Sequence, residues 1–129
     1  IKGKMEVIKG SQLKLYNANT STLLESLNMG AAGFSGVMAN FHPQLYAWLC
    51  RNFDRQPERA RLLADFLTVA SLIERQVYPV NAKYYQKMVG NFNSIQTRSK
   101  DAGLLNETGM LEVEQLARLQ DYFIELYSR

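Results

Sequence analysis

The stretch GAAGFSGVMANFHP, residues 30–43, carries little side-chain bulk in its first half and ends in a proline. The rest of the chain is dominated by long amphipathic patterns. So little bulk in one place has two readings: the backbone passes close to a ligand, or it packs tightly against another segment. Ala31–Ala39 is apolar enough to be a strand buried on both faces, although its glycines weaken the propensity. Asn40 suits a helix cap, and Pro43 suits a first helical turn, where its missing N–H costs nothing. Tyr46, Leu49 and Cys50 then form the inner stripe of that helix.

Upstream, residues 1–9 read as the last turns of a helix, with Met5 and Ile8 on one side and Gly10 as the stop. Leu13–Asn19 is short, partly alternating and bounded by turn-formers, which predicts a strand. Thr20 or Ser21 caps a helix over 20–29, whose stripe is Leu23, Leu24 and Leu27 and whose stop is Gly30. Strand, helix and strand within so few residues make a parallel crossover. Two parallel strands are not a finished sheet, since such sheets are covered on both faces and have several strands.

Downstream, the pattern is helical. Asp54 is a cap candidate, and Gln56–Gln76 presents Leu62, Leu63, Phe66, Leu67, Ala70 and Ile73. Pro79–Val89 is a shorter helix closed by Gly90, residues 91–109 are a polar connector, and Met110–Arg129 carries a six-residue stripe from Leu111 to Leu126. The chain therefore divides into residues 1–53 and a helical part, 54–129.

Composition narrows the function. With 47% hydrophobic and 21% charged residues the chain belongs with globular proteins, not disordered ones. The net charge of +3 is spread over the sequence, not gathered beside exposed aromatics, so no nucleic-acid partner is expected. No apolar run approaches the ~20 residues of a membrane helix, no signal peptide is evident in IKGKMEVIKG, and a lone cysteine fits a reducing compartment. No membrane partner and a cytoplasmic location are the expectations. One histidine and one cysteine cannot make a zinc site of ordinary spacing, and no Walker-type loop is present, so no cofactor is expected.

The run from LYNAN through LNMGAAGFSGVMANFHPQLYAWL resembles the C-terminal part of the dihydrodipicolinate synthase / N-acetylneuraminate lyase family. Leu27–Ala32, Gly33, Gly36, Asn40 and Pro43 fall on that family's late-strand pattern, and Pro79 and Val80 on its Asn-Pro-x-Pro-x-Lys segment. The resemblance implies the last two strands of a (β/α)8 TIM barrel followed by three extra helices. It also implies a class I aldolase or lyase that forms a Schiff base with pyruvate or a related 2-keto acid, usually as a homotetramer. By the same resemblance Ser35 and Gly36 approach the keto acid, the alternative being that Gly33 and Gly36 only let the barrel close tightly and Ser35 hydrogen-bonds internally; Asn17 and Asn19 either bind substrate, by hydrogen bonds to a hydroxyl or carboxylate, or serve as local caps. Where many relatives carry Ser-Gly-Asp-Asp this chain has Tyr16-Asn17-Ala18-Asn19, which leaves the second substrate open.

The resemblance places the Schiff-base lysine and its assisting tyrosine upstream of Ile1. Lys2, Lys4, Lys9 and Lys14 follow no apolar strand, and Lys83 sits on a late helix, so no catalytic residue is expected within these residues. His42, beside Pro43, is placed near the mouth of the site, as a substrate contact or a surface or capping residue. Cys50 reads as packing. Two other readings stand beside the enzyme: a barrel relative without activity, or a helical assembly domain that docks through the Leu111–Leu126 stripe.

Overall fold

The apolar spacing after residue 40 translates directly into helices, and the glycine-rich part before it does not become a sheet of any size. The computed structural model describes residues 1–129. Helix α1 (Lys2–Ile8) buries no residue and leads to strand β1 (Tyr16–Asn17). A 3-10 turn (Thr20–Thr22) passes into α2 (Leu23–Asn28), and β2 (Gly33–Phe34) follows. A second 3-10 turn (Val37–Asn40) precedes α3 (Pro43–Asn52) and α4 (Pro57–Ala70), which tightens into a third (Ser71–Arg75). Then come α5 (Val80–Met88), a fourth turn (Ala102–Leu104) and the long α6 (Glu107–Tyr127).

The expected late portion of a (β/α)8 barrel is not what forms. The chain is a six-helix domain with two strands of two residues each, and it does not resemble part of a barrel. The strands do pair in parallel, Tyr16 opposite Gly33 and Asn17 opposite Phe34, with α2 between them. However, no residue of the sixteen-residue main core lies on a strand. Leu23, Met38, Phe41, Leu45, Leu49, Leu63, Leu67 and Val113 are all buried, and they come from helices and the turns beside them. Burial is therefore driven by helix packing against helix, and the strand pair sits at its margin. The expected strands at 13–19 and 31–39 shorten because Leu13 stays exposed and because the chain coils into a 3-10 turn at Val37.

Smaller corrections follow the same logic. Asn40 does not cap α3; its Nδ2 donates to Val37 O at 2.9 Å, inside its own turn. Gln56, not Asp54, precedes α4. Helix α6 begins at Glu107, before the expected Met110, because Asn106 Oδ1 accepts from Gly109 N at 2.8 Å and so caps it. The Leu111–Leu126 stripe splits between two surroundings: Val113 and Leu116 enter the core, while Leu111 and Leu119 stay exposed. At the far end of α6, Arg59 stacks on Trp48 and Tyr127 and donates to Leu126 O at 2.9 Å, satisfying a helix-terminal carbonyl. No helix is long and apolar enough to cross a membrane.

One polar cluster lies inside this apolar packing. His42 and Gln120 are both buried, and His42 Nδ1 meets Gln120 Oε1 at 2.9 Å. The same amide donates through Nε2 to Phe41 O at 3.1 Å and to Tyr85 Oη at 2.6 Å. With both amide hydrogens engaged, Oε1 is left as an acceptor, so His42 carries its proton on Nδ1. Its Nε2 has no partner within the chain and faces a setting of rings, with Tyr46 stacked at 5.7 Å and Phe66 at 6.0 Å.

Burial holds the His42 imidazole below its usual pKa, only partly offset by the Gln120 hydrogen bond. The unfolded chain then takes up a proton near the ordinary value of about 6.5 while the folded chain does not. Stability is therefore complete above that pH and declines as pH falls below it. Urea unfolding between about pH 7.5 and 5.5 should show a falling midpoint, with a slope of at most ~1.4 kcal/mol per pH unit from this group. His42→Asn should be less stable at neutral pH, and its midpoint should fall less over the same interval.

Candidate functional site

The four residues expected to bind substrate are brought to one end of the strand pair by the parallel register. Ser35 N donates to Asn17 O at 2.9 Å, which continues the ladder by one bond beyond Phe34. The four side chains nevertheless have different surroundings.

Asn17 is buried and fully engaged in the fold. Its Nδ2 donates to Thr22 Oγ1 at 3.0 Å and to Ser26 Oγ at 3.1 Å, and its Oδ1 accepts from Asn19 N at 2.9 Å. It ties the end of β1 to α2. Asn19 Oδ1 accepts from Ser21 N at 3.0 Å and from Ser21 Oγ at 2.7 Å, capping the first 3-10 turn. Asn19 itself remains exposed and borders a polar cleft on either side. Ser35 is exposed.

Gly36 is a matter of space. Its backbone is extended, with φ −144°, so no left-handed conformation calls for glycine. A Cβ there would lie 2.7 Å from Ala18 O and would overlap the Phe34 ring. The absent side chain lets the start of the 3-10 turn press against the end of β1. Phe34 in turn stacks on Tyr46, with centroids 4.0 Å apart, and Tyr46 Oη meets Thr20 Oγ1 at 2.7 Å. The strand ends are thus fixed from beneath by α3. Burial pushes the Tyr46 phenol well above its usual pKa, which keeps it a neutral hydroxyl.

His42 lies under α6, away from any cleft mouth, because Gln120 draws it inward. Cys50 is half-buried beside Gly33, and burial pushes its thiol up, against weaker effects of the Phe34 backbone and Arg51. No group of three His, Cys, Asp or Glu residues is arranged to hold a metal ion. None of the seven lysines is buried; Lys83 Nζ donates to Gln96 O at 2.6 Å and lies over Phe92.

A second group of polar residues was not legible from spacing. The turn at Thr20–Thr22 faces the end of α4, forming a cleft of about 340 Å³ lined by Thr20, Ser21, Thr68, Ser71, Glu74 and Arg75 together with Ala18, Asn19 and the apolar Leu72. Only the polar interruptions in the apolar run LTVASLIERQ hint at it, and they do not reveal that Thr20 lies opposite.

The packing role of Gly36 has a direct consequence. Gly36→Ala should destabilise the chain by about 1–3 kcal/mol, because the new methyl meets a backbone oxygen and a stacked ring. Ser35→Ala should stay within about 0.5 kcal/mol of the parent, since its hydroxyl holds nothing in the fold. Thermal or urea unfolding of both variants checks the contrast. No family model matches this chain, and no curated protein or solved structure matches it.

Proposed function

We propose that this chain is the C-terminal part of a Schiff-base-forming lyase or aldolase that acts on pyruvate or a related 2-keto acid. The observation that carries this reading is the shared end of the strand pair. There Ser35, whose hydroxyl is not engaged by the fold, stands beside Gly36, whose lack of a side chain lets the following turn lie against the end of β1. Small groups and exposed backbone suit the close approach of a small keto acid, and the run LNMGAAGFSG carries the family resemblance at the same place. The reading is one of chemistry and needs no barrel within these residues.

The reactive amine is proposed to come from a lysine outside residues 1–129. A lysine nucleophile needs desolvation or a cationic neighbour to become a free amine near neutral pH, and none of the lysines here is buried. The amine adds to the keto carbon, water leaves, and the protonated imine accepts the electron pair of an adjacent bond. That bond is carbon–carbon in cleavage and carbon–hydrogen in condensation or dehydration. The strand-end residues position the keto acid's carboxylate and exclude bulk. The proposed setting is cytoplasmic, with no cofactor, nucleic acid or membrane involved.

Assembly is a compatible second role, favoured by one specific feature. Val69, Leu72 and Leu119 are exposed around a shallow groove of about 240 Å³ between the end of α4, its terminal turn and α6. An apolar face of this kind marks an interaction surface. A second copy of the chain is the proposed occupant, within a homotetramer.

Borohydride reduction in the presence of pyruvate tests the enzyme reading on the natural protein that carries these residues. The expected result is one reduced adduct, mapped by peptide mass spectrometry to a lysine outside residues 1–129. No adduct would overturn the lyase, and an adduct on any of the seven lysines here would overturn the placement of the amine.

A further inference from the structure

The chain buries one polar side-chain atom that it leaves without a partner, Nε2 of His42. The His42 side chain is fully enclosed, and its other nitrogen is already engaged. The carbonyl of Phe41 can only accept, which turns the amide nitrogen of Gln120 toward it. Oε1 is then an acceptor, and His42 Nδ1 must be the donor to it. Burial keeps the ring neutral at neutral pH. Nε2 therefore presents a lone pair. Interior acceptors normally find a donor, and one that does not points to a group the chain alone does not supply.

Water is a poor candidate for that group, because a buried water needs about three polar partners. The rings beside His42 are those of Phe41, Tyr46 and Phe66. Phe66 lies 6.0 Å from the His42 ring, and it is the one of the three that also lines the groove of about 240 Å³ between α4 and α6. It is only half-buried and stacks on Phe123 at 3.9 Å. One side chain thus separates an apolar groove from an unused acceptor. Val69, Ile73, Leu116 and Leu119 wall the groove, and its polar lining is Gln76 and Glu112, with no cation. Glu112 disfavours a carboxylate there, so a neutral hydroxyl on an apolar body is the donor that fits. If that body is aromatic, it can take over the stacking on Phe123 that a rotated Phe66 gives up.

We propose that this groove binds a small monohydroxylated aromatic molecule of the phenol class, whose ring lies between α4 and α6 and whose hydroxyl donates to Nε2 of His42 once the Phe66 ring has turned aside. The single donor matches the single lone pair. The site uses none of the strand-end residues and does not depend on the lyase reading. Within an assembly, a second copy resting on the exposed Val69, Leu72 and Leu119 closes the groove over the ligand.

Isothermal titration of the whole protein with phenol, and with toluene as the counterpart that lacks a donor, tests the proposal. Saturable phenol binding is expected. In His42→Phe the ratio of phenol to toluene affinity should fall about tenfold, the effect of one buried hydrogen bond, because toluene makes no use of the lone pair. Crystals of the unsubstituted protein soaked in 4-bromophenol give a readout that does not depend on how the variant folds. The bromine should lie between α4 and α6, the oxygen at hydrogen-bond distance from His42 Nε2, and the Phe66 ring should be rotated. Absence of saturation, an unchanged ratio in folded His42→Phe, bromine sited elsewhere, or a hydroxyl turned away from Nε2 would overturn the site.

Discussion

The amide of Gln120 is the point on which the helical packing turns. One side chain engages Nδ1 of His42, the carbonyl of Phe41 and the hydroxyl of Tyr85, and so joins the entry to α3, the middle of α5 and the length of α6. These groups are separated by up to 79 residues in sequence. Apolar burial alone would allow α6 to slide or rotate against α3, because hydrophobic contact has no direction. A buried amide does have direction: displacing it strands several polar groups at once, each at a cost of about 1–3 kcal/mol. The register of α6 is set in this way, and with it the positions of Val113, Leu116 and Tyr127 in the core.

From that anchor the strand ends follow. Phe41 and His42 fix where α3 begins, α3 carries Tyr46, and Tyr46 supports both Phe34 by stacking and Thr20 by hydrogen bonding. Gly36 then lets the second strand's exit lie against Ala18. The Thr20–Thr22 turn that borders the cleft with Glu74 is thus supported from the same tyrosine as the strand end.

Local signals in the sequence carried the helices well. Pro43 and Pro57 each open a helix, Gly30 takes the positive φ that ends α2, and Leu63 and Leu67 of α4 enter the core while Leu62 stays exposed. The parallel pairing of the two short strands was also legible, from the length of the crossover. Their extent was not, because the propensity of a glycine-rich run does not reveal where a 3-10 turn will take over. The larger architecture was misjudged for a related reason: two strands in parallel suggested a sheet-centred fold, whereas the apolar area lies between helices. At the candidate site, Asn17 and Asn19 read equally as substrate-binding groups or as local caps, and the turn geometry that chooses their partners Thr22, Ser26 and Ser21 engages both within the fold. His42 and Gln120 could not be paired from sequence at all. Nothing local in either residue's surroundings points to the other.

The most direct test of this account is a double-mutant cycle between positions 42 and 120, using His42→Phe and Gln120→Leu. Each single change leaves the other buried polar group without its partner, and each should cost about 1–3 kcal/mol in urea unfolding. The double variant removes both, so its loss should fall short of the sum of the singles by about 1 kcal/mol or more. Losses that add within about 0.5 kcal/mol would show that the two residues are not coupled and that the helices are held in register by something else.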